Sequence, residues 1–406
     1  MRANWEVKKL GEVCDLITRG VSPKYVEENG LCVLNQKCIR DHKVNFGFSR
    51  FHDSNVKPVS TAKLISLGDV LVNSTGTGTL GRVAQVRGDL VKATVDSHVT
   101  IVRPKKELFY NEFFGYAMIF IEDEIAKNGE GCGGQTELAR DTLKNKFEIG
   151  YPKSLDEQKC IVAILDEAFE AIATAKVNAE KNLQNARELF DSYLQSVFAN
   201  PGADWEEKKL REIGVTQTGT TPKSTDKNNY GNFIPFVKPA DVDYQGNGAI
   251  RYDNQGLSEK GLKNGRLIKK DSILMVCIGA SIGKVGFVDR DVSSNQQINS
   301  LSPFDEHYPK FVYYALSKAE FYEKVLKNSA QATLPIINKS KWENLSVILP
   351  KSHDQQQTIV AKLDALSLET KKLEAIYRQK LADLDELKKS ILHKAFSGEL
   401  TRSHYE

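Results

Sequence analysis

No run of about 18 uncharged apolar residues occurs in the sequence, so nothing in it reads as a membrane-spanning helix. Its first residues, Met1-Arg2-Ala3-Asn4-Trp5-Glu6, lack the apolar core of an export signal, and a cytoplasmic location is expected. Cysteine is sparse: Cys14, Cys32, Cys38, Cys132, Cys160 and Cys277 are scattered, with no C-x-x-C pair. Reduced thiols are expected rather than a disulfide or zinc framework. The seven histidines form no H-x-x-x-H, and no cluster has metal-ligand spacing, so no metal is expected. Charge of one sign is also lacking. A net charge of +3 is too small for a non-specific nucleic-acid coat, and any nucleic-acid binding must come from local patches. The Asn/Asp-Pro-Pro-aromatic motif of base methyltransferases is absent. The one Asn-Pro, Asn200-Pro201, runs into Gly202 at a linker. With no nuclease or helicase motif either, no catalytic residue is expected.

What the sequence does contain is a repeat. Trp5-Glu6-Val7-Lys8-Lys9-Leu10 returns as Trp205-Glu206-Glu207-Lys208-Lys209-Leu210. Gly20-Val21-Ser22-Pro23-Lys24 returns as Gly219-Thr220-Thr221-Pro222-Lys223. Pro152-Lys153-Ser154-Leu155-Asp156-Glu157-Gln158 returns as Pro350-Lys351-Ser352-His353-Asp354-Gln355-Gln356. The separations are 200, 199 and 198 residues, so the anchors keep their order over half the chain. This period is far too long for a solenoid and indicates two tandem, domain-sized units. A chain of 406 residues is also too long for one ordinary core.

Each unit begins with β-like runs such as Asp69-Val70-Leu71-Val72 and Ser272-Ile273-Leu274-Met275-Val276, punctuated by Gly, Pro and Asn. Helical patterns lie at 109–125 and 309–327. After Pro152 and Pro350 the pattern changes, and an acidic residue falls in what becomes the first helical turn. Apolar or small residues recur at Ile161, Leu165, Ala168, Ile172, Ala175, Ala179, Leu183, Ala186, Phe190, Tyr193 and Val197. The second series is Ile359, Leu363, Leu366, Thr370, Leu373, Tyr377, Leu381, Leu384, Leu387, Ile391 and Ala395. Every step in both series is four or three, as in a coiled-coil seam. Both series carry a doubled four at the same place, Ala175-Ala179-Leu183 and Leu373-Tyr377-Leu381. No Pro or Gly interrupts either segment, so each predicts a helix of ~45 residues, roughly 65 Å long. A stripe this narrow needs a partner. An Ala-rich seam and a Leu-rich seam suit each other, and an antiparallel pair would hold the globular parts at opposite ends of a stiff rod.

The expected fold class is α+β: two mixed α/β domains, each followed by a long helix, the helices pairing as an antiparallel coiled coil in a pseudo-two-fold repeat. The expected boundaries are 1–154 and 201–352 for the globular domains, with 155–200 and 353–406 for the helices.

Two glycine loops resemble nucleotide sites and fail as such. Gly76-Thr77-Gly78-Thr79-Leu80-Gly81 spells G-x-G-x-x-G, but Arg82-Val83-Ala84-Gln85-Val86 reads as a strand, where a dinucleotide site needs a helix. Gly279-Ala280-Ser281-Ile282-Gly283-Lys284 is one residue short of a phosphate loop and lacks the following Ser/Thr. No bound cofactor is expected. The two loops match each other instead, aligning Asp69 with Asp271, Gly81 with Gly283 and Arg82 with Lys284. Small residues let a loop approach a surface, and hydroxyls with one cation suit phosphate or base edges.

The ordered set of these motifs resembles the specificity subunit of type I restriction–modification systems, over essentially the whole chain. The residues carrying the likeness are Trp-x-x-Lys-Lys-Leu, Thr218-Gly219-Thr220-Thr221-Pro222-Lys223, the 152–158 segment and the Gly-x-Ile-Gly-Lys type loop. The resemblance implies a target-recognition domain in each unit, reading one half of a split, asymmetric double-stranded DNA site, with the helical rod setting the gap. It also implies two methyltransferase (modification) subunits as partners, S-adenosylmethionine being bound by them, and recruitment of restriction (translocase/endonuclease) subunits. Two other readings stay open: a stand-alone DNA-binding protein of the same fold, and a methyltransferase with divergent motifs.

Matched cations are expected to hold phosphates, which every sequence has. They are Lys24 and Lys223 after the Gly-x-x-Pro turn, Lys37 and Lys238 after an apolar run, and Arg82 and Lys284 after the loops. Thr77, Thr79, Thr221 and Ser281 lie beside them. Base reading is expected from residues that differ between units: Asn35, Gln36 and His98 in the first, and Asn295, Gln296, Gln297 and Gln331 in the second. Asn and Gln can bond adenine bidentately.

Overall fold

A computed structural model describes residues 4–88, 91–132, 135–243, 248–330 and 334–400. Its contacts divide the chain into two compact units. One runs up to Ala179 and resumes at Gln379; the other is Glu180–Arg378. Both long helices therefore contribute a segment to each unit.

The globular part of each unit opens on a strand completed by its own far end. Trp5–Lys9 pairs antiparallel with Glu148–Pro152, and Trp205–Lys209 pairs in the same way with Ser346–Pro350. Directly after these strands, Leu10 and Leu210 are fully buried. Glu12 and Glu212 accept hydrogen bonds from the backbone N–H of Lys9 and Lys209 at 2.9 and 2.8 Å. The Trp-x-x-Lys-Lys-Leu repeat is thus a strand, a helix start and its cap.

The main sheet has the same order in both units. In the first, Cys14–Arg19, Val99–Pro104, Val70–Asn73 and Val83–Gln85 lie side by side, all antiparallel. In the second the order is Gly214–Thr218, Ile298–Pro303, Ile273–Val276 and Val285–Phe287. A smaller sheet adds a parallel pair in each unit, Ala93–Val95 with Leu31–Leu34 and Ser293–Ser294 with Tyr230–Val237. The sequence segments 109–125 and 309–327 each form two short helices, Asn111–Phe120 and Glu122–Lys127, then Pro309–Leu316 and Ala319–Asn328.

The long helices span Leu155–Ala199 and His353–Phe396. Within each unit their segments run antiparallel. In the first unit Ile161, Val162 and Leu165 share a core with Leu392 and Ala395, while further along Lys176 pairs with Asp385. In the second, Arg187 pairs with Glu374 at 3.3 Å, and Leu194 and Phe198 share a core with Val360 and Leu363. All eleven seam positions of the first helix are buried or half-buried, and the small Ala179 and Ala186 are 2% and 3% exposed. The second helix departs from its seam twice. Leu373 and Leu387 are exposed, and the neighbouring Glu374 and Lys388 are half-buried instead. Glu374 is held by Arg187, and the Lys388 ammonium lies 5.1 Å from the Phe169 ring centroid.

The heptapeptide at 152–158 has a structural task. The Gln158 side chain is fully buried, accepts from the Tyr110 backbone N–H at 2.8 Å and donates to the carbonyls of Leu108 and Pro152 at 2.9 Å. Gln356 does the same in the second unit, accepting from Tyr308 N–H and donating to Pro350 O, both at 2.8 Å. One amide thus ties the first turn of the long helix to the cap of a short helix. A second tie repeats as well: Tyr116 donates to Asp166, and Tyr314 to Asp364 at 2.6 Å.

Candidate nucleic-acid interface

Backbone hydrogen bonds fix which residues of the two units correspond. Asp96 N–H donates to Leu34 O, and Asn295 N–H to Val237 O. A one-turn helix follows in each case, Gln36–Cys38 and Pro239–Asp241. The counterpart of Lys238 is therefore Asn35, not Lys37. A shift of two residues in the turn produced the apparent lysine match. Gly68 N–H donates to Val86 O as Asp271 N–H does to Val288 O, so Asp271 corresponds to Gly68, not Asp69. Both sit at positive φ, 90° and 63°. Asp69 is instead buried beneath Arg103, which it holds with two 2.7 Å hydrogen bonds. The register moves by one residue across the glycine loop, because the second loop is one residue shorter. Arg82 and Lys284 do correspond: Asn73 N–H donates to Arg82 O and Val276 N–H to Lys284 O, both at 2.9 Å.

Neither loop leads into a helix. Each returns into a strand, Val83–Gln85 or Val285–Phe287. The glycines are needed at the bends, where Gly76, Gly81, Gly279 and Gly283 have φ of 103°, 88°, 95° and 84°. A Cβ at Gly81 would also meet the backbone of Ala126 at 2.7 Å.

In the second unit the loop borders an open concavity of about 540 Å³. Lys238, Ser281, Lys284, Asn295 and Gln297, chosen separately from the sequence, all line it. Its apolar wall includes Pro239, Ala240 and Ile278. Asn295 is 8% exposed and shapes this edge, donating to Gln297 Oε1 at 3.0 Å and accepting from Gln297 N–H at 3.2 Å. Gln296 lies just outside and accepts from the Thr221 hydroxyl at 2.5 Å. Lys223 is exposed on the preceding turn. Gln331 lies outside the described residues.

In the first unit Gln36, Thr75, Thr79, Arg82 and His98 gather around the corresponding loop. Gln36 Nε2 donates to the Thr75 hydroxyl at 2.6 Å, and that hydroxyl lies 2.8 Å from His98 Nδ1. Thr79 donates to Thr75 O at 3.3 Å, and Arg82 to Gly78 O at 3.0 Å. Thr77 is exposed on the loop. Asp96 accepts from His98 N–H at 2.9 Å, as Asn295 does from Gln297, and burial pushes the Asp96 carboxyl above the usual range. The Asn35 side chain is committed locally. It accepts from Lys37 N–H at 2.9 Å and donates to Phe48 O at 2.7 Å, so one hydrogen and one lone pair of its amide are already in use. Phe48, which sequence reasoning missed, is 51% exposed beside it. Lys24 and Lys37 are exposed. None of Lys24, Lys37, Lys223, Lys238 and Lys284 forms an ion pair among the described residues, although surface pairs such as Lys260–Asp226 are frequent elsewhere. Cations left unpaired in this way are available to phosphate. Thr75 and Ile278 were also missed; each precedes its first loop glycine, where the sequence reading began the motif.

A family model for the type I restriction modification DNA specificity domain matches residues 2–184 and again 202–381. The chain is 28% identical over 204 residues to the HindI type I restriction enzyme specificity subunit of Haemophilus influenzae, covering 48% of this chain and 42% of that one. It is 27% identical over 183 residues to the MjaIX specificity subunit of Methanocaldococcus jannaschii, covering 44% and 42%. The chain thus spans less than half the length of these curated relatives in the stretch that matches. Among solved structures, one chain from work on assembly and conformational transition of the type I R-M system has a TM-score of 0.81 at 20% identity, covering 98% of this chain and 99% of that one. The HsdS subunit from Thermoanaerobacter tengcongensis has a TM-score of 0.62 at 20% identity, covering 98% of each. At this identity the two structures speak for the fold. A duplicated α+β unit built on paired long helices, matched twice by one domain model, defines a tandem specificity-domain protein. The chain belongs to the type I restriction modification DNA specificity domain family.

Proposed function

We propose that this chain is the sequence-specific DNA-recognition subunit of a type I restriction–modification complex, reading a bipartite, asymmetric site with one half assigned to each unit. The observation that carries this reading is the loop neighbourhood. Both units build the same strand–glycine loop–strand frame and surround it with unlike side chains, Gln36, Thr75 and His98 in one and Pro239, Ile278 and Gln297 in the other. Matched frames with unlike edges suit two different half-sites. The unpaired lysines supply the sequence-independent phosphate contacts.

On this reading the chain is non-catalytic, and methyl transfer from S-adenosylmethionine takes place on partner methyltransferase subunits. Exposed apolar side chains on the long helices support docking of such partners: Leu189, Leu368, Leu373 and Ile376 in the second unit, and Val177 and Leu387 in the first. Restriction subunits would join the same complex. The long helices act as the ruler between half-sites. Inserting four residues near Ala179 and four near Tyr377 adds roughly 6 Å of helix to each, close to two base pairs at ~3.4 Å per step. Mapping modified sites in a host carrying the lengthened subunit should show the same half-sites with a longer gap. An unchanged gap would refute the ruler.

A further inference from the structure

Three segments of the first unit meet at the Thr75 side chain, which is 8% exposed. The amide orientation of Gln36 is fixed, because its Nε2 also donates to the Thr75 backbone carbonyl at 2.5 Å, and a flipped amide would set oxygen against oxygen. Gln36 Oε1 is thereby left without a donor among the described residues. The Thr75 hydroxyl accepts from Gln36 and has one proton of its own to give. His98 Nδ1 lies 2.8 Å away, within reach of that proton. In the tautomer that accepts it, the His98 ring carries its proton on Nε2, which has no partner among the described residues on this exposed side chain. His98 is held from the other side as well, its backbone N–H donating to Asp96 and its carbonyl accepting from Ser74 N–H at 2.8 Å.

Resting on the DNA-recognition reading above, we propose that the first unit reads an adenine through a donor–acceptor pair, His98 Nε2–H and Gln36 Oε1, and that Thr75 is the positioning residue that sets the polarity of both. In the major groove adenine presents N7 as acceptor beside the N6 amino donor, which this pair complements; guanine presents two acceptors there. The second unit cannot build the same reader. Pro239 stands in place of Gln36, Ile278 in place of Thr75, and Gln297, whose Oε1 is occupied by Asn295, in place of His98. Its open edge is an amide donor beside an apolar wall, so its half-site follows a different rule.

The test uses the full chain assembled with its methyltransferase partner on a randomised duplex library, with bound DNA sequenced. The Thr75→Val variant keeps the side-chain shape and loses the hydroxyl; the Thr75→Ser variant keeps the hydroxyl. The expected result is that Thr75→Val lowers the preference for A·T at one position of one half-site by about tenfold. The other half-site should be untouched, and Thr75→Ser should restore the wild-type preference. A merely structural role for Thr75 would weaken binding to all sequences alike, and that outcome overturns the proposal. So does an unchanged preference in Thr75→Val, or loss confined to a G·C position. If the wild-type complex selects no bipartite site at all, the DNA-recognition reading itself fails, a result distinct from any of these.

Discussion

Replacing Gln158 by Met keeps most of the side chain's length and apolar contact while removing its amide. The half-buried Tyr110 N–H then loses its acceptor, and the carbonyls of Leu108 and Pro152 each lose a 2.9 Å donor. A buried polar group left without a partner costs about 1–3 kcal/mol. Counting the N–H in full and the carbonyls in part, since each keeps a second lone pair for other donors, gives about 2–4 kcal/mol for the local tie. That is roughly a 30- to 700-fold rise in the open population at 1.4 kcal/mol per tenfold. Hydrogen exchange followed by mass spectrometry on peptides spanning 108–120 and 155–165 reads it directly. Both should exchange faster together, because the tie joins the N-terminal cap of helix Asn111–Phe120 to the start of the long helix. The matched Gln356→Met variant should do the same around Tyr308 and leave the first unit unaffected. Unchanged protection of Tyr110 N–H in Gln158→Met would refute the reasoning, since the heptapeptide repeat would then need another explanation.

His307 supplies a pH prediction. It is 4% exposed, and neither ring nitrogen has a partner among the described residues. Burial, then nearby Lys208, lowers its pKa below the ordinary value of 6.5, with Glu306 and Glu206 opposing and His353 reinforcing. Above 6.5 the ring is neutral folded and unfolded; as pH falls below it, the unfolded chain binds a proton that the fold resists, so stability declines towards acid. The His307→Phe variant should flatten that slope in urea melts recorded between about pH 7 and 5, and an unchanged slope would count against it. Lys284→Ala should weaken DNA binding, reduce the salt slope by about one, and leave the selected sequence unchanged; a changed preference would mean that Lys284 reads bases. Ala186→Leu should destabilise the helix pair of the second unit by about 1–3 kcal/mol through overpacking at a site 3% exposed, and a neutral result in thermal unfolding would show that the seam yields there.

Much of the fold was legible because it rests on local rules repeated twice. The helix seams followed from a period of four and three, and the lengths from the absence of Pro and Gly between 155 and 199 and between 353 and 397. Both glycine loops were read as leading into strands, and each does. The candidate site was legible in part. Lys238, Ser281, Lys284, Asn295 and Gln297 surround one concavity, because polar residues flanking short strands fall at the same strand ends.

Other features depended on distances that one-dimensional spacing does not contain. Lys37 looked like the partner of Lys238, and only the hydrogen bonds of Leu34 and Val237 gave that place to Asn35. Asn35 was read as a base-reading amide, and the tertiary structure engages part of that amide with Phe48 and Lys37. Leu373 and Leu387 fit the heptad, yet they face solvent where Glu374 and Lys388 find partners on the other helix. The sequence by itself determined the duplication, the two long helices and the neighbourhood of the loops, since these follow from periodicity and chain stiffness. The tertiary structure decided which side chains stay free and which are consumed, because a hydrogen bond between residues as distant as Gln36, Thr75 and His98 exists only once the chain has closed on itself.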